Sequence, residues 1–330
     1  MQRLELLENW LKQQFPDEPF SYAPASADAS FRRYFRVTLP ERTLIVMDAP
    51  PSHEDCRPFV HVAGLLREAG VNAPAVLAQD LAQGFLLLTD LGDRTYLATL
   101  DESSADGLYR DAIDALVKFQ LTSRADALPP YDDALLLREM RLFPEWYASK
   151  HLQSELSNEE AAALEDTFAV LNRNILAQGQ VFVHRDYHSR NLMVAENNPG
   201  VLDFQDAVHG AVTYDLVSLF KDAYIGWDEE RVLDWTIRYW EKARKAGLPV
   251  AGDFAAFYRD FEWMGAQRHI KVLGIFARLY RRDGKGGYLK DMPLVKTYLR
   301  KTCQRYSELH PLVKLLDKLE DRQAEVGFTF

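Results

Sequence analysis

Cysteine is almost missing from this chain: Cys56 and Cys303 are the only two among 330 residues, far apart and with no CxxC pair. That excludes a disulfide framework and a cysteine zinc site, and both thiols are expected to be reduced. No run approaches the ~20 apolar residues a membrane span requires. The densest stretches, Leu44 to Met47 and Phe85 to Leu88, are strand-sized. Basic charge is in short supply, with 39 Lys and Arg against 49 Asp and Glu and a net charge of -10. No clustered cationic face is available to release phosphate counterions, so a nucleic-acid partner is not expected. An anionic ligand must instead be met by a local set of groups. Lysine is absent altogether between Lys12 and Lys118. The N-terminal MQRLELLENWLKQQF lacks the unbroken apolar core of a signal peptide. Leu4, Leu7, Leu11 and Phe15 share one helical stripe and predict a docked amphipathic helix. A cytoplasmic protein is the expectation.

From Phe31 to Asp90 the pattern is short and rich in β-branched and aromatic residues: FRRYFRV, a turn at Leu39-Pro40-Glu41-Arg42, then TLIVMD, VLAQD and GFLLLTD. These predict antiparallel strands. Pro58 to Ala69 carries Phe59, Val62, Ala63 and Leu66 at helical spacing and ends at Gly70, a plausible left-handed stop. Beyond Gly92 the period becomes helical, as in Leu108 to Leu121, Leu164 to Leu176, Asp253 to Arg282 and Met292 to Tyr306. Three brief apolar runs, Val181 to Val183, Leu192 to Ala195 and Gly200 to Asp203, interrupt the helical half as short strands. The length exceeds the ~250 to 300 residues at which single cores stop growing. The expected division is an N-lobe over 1–91, opened by the N-terminal helix, and a helical C-lobe over 92–330.

Residues 181 to 210, VFVHRDYHSRNLMV followed by AENNPGVLDFQDAVHG, concentrate His, Asp and Asn near strand ends. Phosphoryl transfer needs an oxygen base beside the acceptor hydroxyl and hard oxygen ligands for Mg²⁺. Asp186, Asn191 and Asp203 supply such a set. Any one of them alone would read as a turn or capping residue. A metal site from His184 and His188 at i, i+4 would need a helix, whereas the flanking residues read as strand, loop, strand.

The spacing HxDxxxxN, with an Asp twelve residues after the Asn, resembles the catalytic loop and metal-binding Asp of protein kinases. HRDYHSRN more closely resembles the HGDxHxxN loop of the aminoglycoside phosphotransferase and choline kinase group of small-molecule kinases. The resemblance implies a bilobal α+β, protein-kinase-like fold, with a small antiparallel sheet and one helix in the N-lobe and a larger, mostly helical C-lobe. It implies ATP and Mg²⁺, with Asp186 as the base or hydroxyl-orienting group, Asn191 and Asp203 on the metal, and His184 bracing the loop. Asp206 matches an acidic residue that commonly follows the metal Asp. Tyr214-Asp215-Leu216 matches a YDLA-like segment whose Asp buttresses the loop. GFLLLTDLGD resembles the interlobe hinge, where backbone around Thr89 and Leu91 would meet adenine. SADASFRRYFRV, including Ser30, lies where the phosphate-covering hairpin belongs.

The third strand departs from the pattern. Kinases place a Lys there for the α- and β-phosphates, and TLIVMDAP puts Met47 at that position. Arg32, Arg33 or Arg36 is the expected substitute, because Arg binds phosphate bidentately. Glu54, Arg57 and Glu68 are candidate helix partners. DGKGG, residues 283 to 287, lacks GxxxxGK[ST] and reads as an interhelix turn.

Within the group, VMDAPP, LLLTDLGD, LDFQDAVHGAVTYDLVSL and FEWMGAQRHIKVLGIFARLYRRDGK resemble the anomeric N-acetylmuramate/N-acetylglucosamine kinases of bacterial cell-wall recycling, a subgroup that shares MDAP. That implies transfer to the C1 hydroxyl of a free amino sugar, and a product passed to a sugar-1-phosphate nucleotidyltransferase. Arg268, His269 and Lys271 are candidates for the lactyl carboxylate of N-acetylmuramate, with Asp206 beside the acceptor, and Trp263 or Trp227 could stack on a sugar. Choline, an aminoglycoside or a hydroxy-amino acid is the alternative acceptor. A nucleotide-binding pseudokinase is the alternative motivated by Met47.

Overall fold

The computed structural model describes residues 2–27 and 31–326. The chain opens with α1 (Gln2–Gln14), then β1 (Ser21–Ala27), β2 (Arg33–Thr38), β3 (Thr43–Asp48), α2 (Arg57–Glu68), β4 (Val76–Asp80), β5 (Phe85–Thr89), α3 (Tyr96–Thr99) and α4 (Ala105–Leu121). It continues through α5 (Asp133–Met140), a π-helical turn at Phe143–His151, α6 (Asn158–Ala177), β6 (Gln180–Val183), β7 (Leu192–Met193), β8 (Gly200–Val201) and β9 (Val208–Ala211). It finishes with α7 (Tyr214–Phe220), α8 (Glu229–Ala246), α9 (Phe254–Asp283), α10 (Met292–Arg305) and α11 (His310–Val326). None of the described helices is long and apolar enough to cross a membrane.

Two compact units result: Met1–Thr122 with Arg190–Ala207, and Ser123–Ser189 with Val208–Phe330. The division therefore differs from a cut after residue 91. The first unit keeps α3, α4 and the β7–β8 hairpin because specific bonds tie them in. Val201 N donates to Asn72 O at 2.8 Å. Asn198 Nδ2 donates to Tyr96 OH at 2.9 Å and to Asp111 Oδ2 at 2.7 Å. Buried Phe204 packs on Phe59 of α2 at 4.7 Å between ring centroids.

The sheet of the first unit has the order β1-β2-β3-β5-β4, all neighbours antiparallel. β1 was not foreseen, because SYAPASA carries little strand propensity and owes its state to pairing with β2. Successive residues alternate faces. Phe35, Val37, Leu44, Val46, Phe85 and Leu87 form one face, against which α1 lays Leu7, Trp10, Leu11 and Phe15. Each such side chain contributes roughly 1.5–3 kcal/mol when fully buried. Trp10 thus replaces Leu4, which is 38% exposed, in the expected stripe. α2 begins with Pro58 in its first turn, buries Phe59, Val62, Ala63, Leu65 and Leu66, and is followed by Gly70 at φ 70°, as its sequence predicts.

The second unit is organised by α9. Asp253 caps its start by accepting from Ala256 N, and Gly284 in the left-handed region ends it. Almost every residue from Phe261 to Ala277 is buried, charged ones included. A helix apolar or buried all round must sit inside other helices. α5, α6, α7, α8 and α10 indeed pack on it. DGKGG forms its C-terminal turn, as expected.

Candidate active site

In the second unit, β6 and β9 pair with Val183 opposite Val208, and β6 delivers the chain into His184–Ser189. This segment is not helical, so His184 and His188 do not share a helix face. His184 is buried, and its Nδ1 accepts from Asp186 N at 3.2 Å. α7 holds the segment at both ends. Asp215, in its first turn, accepts from His184 N at 2.6 Å through Oδ2 and from Arg185 N at 2.9 Å through Oδ1. Asp222, just beyond its last turn, accepts from Ser189 N at 3.0 Å and from the Ser189 hydroxyl. Asp222 went unnoticed in the sequence.

Asp215 is wholly buried, and burial pushes its pKa up to about 7 against the two N–H donors and the charge of Arg268. Asp186 behaves oppositely. Its side chain is 40% exposed. Burial opposes its ionisation, yet Lys271, Arg268, His188 and Arg185 outweigh that and hold its pKa at about 2. A carboxylate so placed is ionised throughout the neutral range.

The three cationic candidates on α9 are all buried. Arg268 Nη1 donates to Arg185 O at 2.9 Å and to Tyr214 OH at 3.1 Å, and its Nη2 lies 4.0 Å from Asp186 Oδ1. Lys271 Nζ lies 2.9 Å from Glu139 Oε1 and 2.9 Å from Tyr214 OH. Glu139 also takes the Arg185 guanidinium and the Tyr131 hydroxyl, a pair of contacts the sequence did not reveal. His269 faces elsewhere, with Nε2 3.2 Å from Lys221 O and its ring stacked on Tyr298. Burial and the charge of Lys221 push its pKa down to about 3, so it is a neutral imidazole. Trp263 is buried beneath Arg259, whereas Trp227 lines a recess with Lys221, Tyr258, Glu262 and Tyr298.

In the first unit, the antiparallel register Leu192 opposite Val201 continues outward to Asn191 and Leu202, whose N donates to Asn191 O at 2.9 Å. The pairing brings Asn191 and Asp203 together, with Asn191 Nδ2 3.3 Å from Asp203 Oδ2. Asp203 adopts φ 62°, one of four non-glycine residues at positive φ among those described. Gln205 Nε2 donates to Asp203 Oδ1 at 2.9 Å, while Gln205 Oε1 is buried with no hydrogen-bond partner. Two hard-oxygen side chains beside an unsatisfied acceptor fit Mg²⁺, which takes one or two protein ligands and completes its shell with water and phosphate. Among the described residues no three His, Cys, Asp or Glu side chains gather as a metal site of their own. Asp206 is exposed.

The arginines of β2 divide between the two faces of the sheet. Arg33 lies on the α1 face, where its guanidinium meets Asp48 of β3; Asp48 is fully buried and is also held by Arg3. Arg36 is on the opposite face, shared by alternation with Tyr34, Ile45 and Met47. Its Nε lies 2.6 Å from Asp90 Oδ2, and its Nη2 donates to Gly92 O at 2.9 Å. Burial opposes ionisation of Asp90, but Arg36 and Gly92 N lower its pKa. The Arg36–Asp90 clamp on the segment after β5 has no signal in the sequence. Thr89 N donates to Ala75 O at 3.1 Å. Leu91 lies against Gly200, where an added Cβ would come within 3.0 Å of Leu91 Cδ1. Arg32 is near enough to Cys56 to oppose the burial-driven rise of its thiol pKa. Arg57 pairs with Asp55. Ser30 lies outside the described residues.

A family model described as a phosphotransferase enzyme family matches residues 21–251. An N-acetylmuramate/N-acetylglucosamine kinase of Pseudomonas aeruginosa is 51% identical over 327 residues, covering 96% of this chain and 97% of its own. A kinase of the same name from Neisseria meningitidis is 49% identical, with 100% of both chains covered. Among solved structures, a choline kinase from Streptococcus pneumoniae superposes with a TM-score of 0.61 at 12% identity, covering 89% of this chain and 99% of that one. A putative aminoglycoside phosphotransferase from Ralstonia eutropha gives 0.60 at 16% identity, covering 91% and 98%. These two likenesses establish the protein-kinase-like fold.

Proposed function

Because the chain belongs to the phosphotransferase enzyme family and is therefore a kinase, we propose that it transfers the γ-phosphoryl group of ATP to the anomeric C1 hydroxyl of N-acetylmuramate and N-acetylglucosamine. The products would be the sugar α-1-phosphate and ADP. The full-length likeness to kinases named for these two sugars supports the acceptor. The observation that carries the chemistry is Asp186, a partly exposed carboxylate kept ionised by surrounding cations on a segment pinned at both ends.

In this reading Asp186 accepts a hydrogen bond from the C1 hydroxyl, orients its oxygen toward the γ-phosphorus, and takes the proton as the new O–P bond forms and the bond to the β-phosphate oxygen breaks. A hemiacetal hydroxyl is more acidic than an ordinary alcohol, so the proton can move late. Asn191 and Asp203 hold Mg²⁺, which supplies neutralisation of the phosphate charge when bound. With Thr89 N given to Ala75, the adenine contact is assigned to the Leu91 backbone, next to the Arg36–Asp90 clamp. Arg33 and Arg36 are each engaged by a carboxylate, Asp48 and Asp90, but Arg36 shares the face of Met47 and is the stronger substitute for the missing Lys. The reading places the enzyme in the cytoplasm, in cell-wall recycling, ahead of a sugar-1-phosphate nucleotidyltransferase.

Phosphorus NMR of the purified protein with ATP, Mg²⁺ and either sugar tests this directly. A new sugar 1-phosphate resonance is the expected result. Persistence of intact ATP with both sugars would overturn the acceptor assignment.

A further inference from the structure

We propose that Arg268 is a positioning residue, which holds the Arg185 carbonyl and thereby the peptide that presents Asp186, and is not a ligand for a carboxylate on the acceptor. The proposal rests on Asp186 being the base, as above. Arg185 stands at φ 78°, in the left-handed region that a non-glycine residue adopts only when its surroundings over-determine it. Both polar ends of this residue are engaged. Its N–H donates to Asp215 Oδ1 at 2.9 Å, and its carbonyl accepts from Arg268 Nη1 at 2.9 Å, with the Ser218 hydroxyl at 3.5 Å. The carbonyl of Arg185 belongs to the same peptide unit as the N–H of Asp186, so fixing it fixes the direction in which Asp186 leaves the loop.

Arg268 is itself fixed from below. Its guanidinium lies 5.3 Å from the Tyr214 ring centroid and donates to the Tyr214 hydroxyl, which Lys271 also contacts. With Nη1 committed to these two acceptors, only the Nε–Nη2 edge remains for a second carboxylate, and its Nη2 already faces Asp186 Oδ1 at 4.0 Å. Arg185 and Lys271 are both paired to Glu139, and Arg268 faces Asp186. Arg268 is 7% exposed.

The test uses the whole protein with Arg268→Gln and Arg268→Lys, assayed separately on N-acetylglucosamine and N-acetylmuramate. A misplaced base costs turnover without weakening ground-state binding. The expected result for Arg268→Gln is a kcat loss of about 100-fold on both sugars alike, with KM for ATP and for each sugar unchanged. Lys, which restores one donor and the charge, should recover part of it. A rise in KM confined to N-acetylmuramate would overturn the proposal and make Arg268 the carboxylate ligand; so would an unchanged kcat. Should Arg268→Gln fail to fold, Arg268→Lys and Tyr214→Phe give the same readout, the latter loosening the guanidinium from behind. If the unaltered protein phosphorylates neither sugar, the acceptor assignment fails by itself. Hydrolysis of ATP by the protein in Mg²⁺, with water in place of the sugar beside the same base, is then the assay in which Arg268→Gln is expected to lower the rate, and an unchanged rate would overturn the proposal.

Discussion

The two units hold their candidate side chains differently. In the first, Asn191 and Asp203 are steadied by each other, by Gln205 and by a two-residue hairpin. In the second, Asp186 projects from a segment whose N–H groups are bound by two buried carboxylates and whose carbonyl is held by a buried guanidinium. The contrast suits the tasks proposed for these residues. Metal ligands must exchange partners each time metal and nucleotide arrive and leave, so a light hold suits them. A base contributes only if its angle is set before the substrate arrives, because orientation is where its rate advantage lies.

The largest effect should come from the base itself. Asp186→Asn is expected to lower kcat by about 10³-fold or more while leaving ATP binding intact, measured by single-turnover kinetics beside nucleotide titration. Near-normal turnover would remove Asp186 from its role and with it one side of the contrast. Next, Asp203→Asn and Asp215→Asn should each cost about 10- to 100-fold and then part company. Raising the Mg²⁺ concentration should restore much of the Asp203→Asn loss and none of the Asp215→Asn loss, since only the first is a weakened metal site. Equal rescue of both would collapse the distinction between the units.

A smaller effect, on stability alone, is expected at Asp48. Removing it in Asp48→Ala leaves Arg3 and Arg33 unpaired, but both are partly exposed and can turn to water. The cost should be about 2 kcal/mol rather than that of a fully buried pair, read as a shift in the urea midpoint with KM values unchanged. A large rise in the KM for ATP would instead return Arg33 to the phosphates. The smallest effect is an absence. The Asp186 pKa is depressed to about 2, so its ionised form is in place above the ordinary carboxylate value and is lost only as pH falls through about 2. Turnover should therefore show no acid limb from this group between about pH 5 and 8. Arg268→Gln should move that limb upward, toward the measurable range.

Much of this was legible in the chain. β2 to β5 and the apolar stripe of α2 follow from alternation and helical spacing, which are local properties. The order Asp186, Asn191, Asp203, Asp215 was legible only through its resemblance to the small-molecule kinases. β1 was not legible, since SYAPASA becomes a strand only through its partner. Nor was the exchange of Leu4 for Trp10 on α1, which depends on where Phe85 lies.

What sequence by itself offered is the inventory: the fold class, the candidates for base and metal ligands, and the absence of a Lys on the third strand. What only the tertiary structure decided is which charges are already engaged. Arg33, Arg36, Arg268 and Lys271 look equally available as letters. Asp48, Asp90, the Arg185 carbonyl and Glu139 claim them one by one. The reason is electrostatic. A buried charge is stable only beside its counter-charge or a full set of hydrogen bonds. Those partners come from residues 15 to more than 130 positions away, distances over which no local pattern carries information.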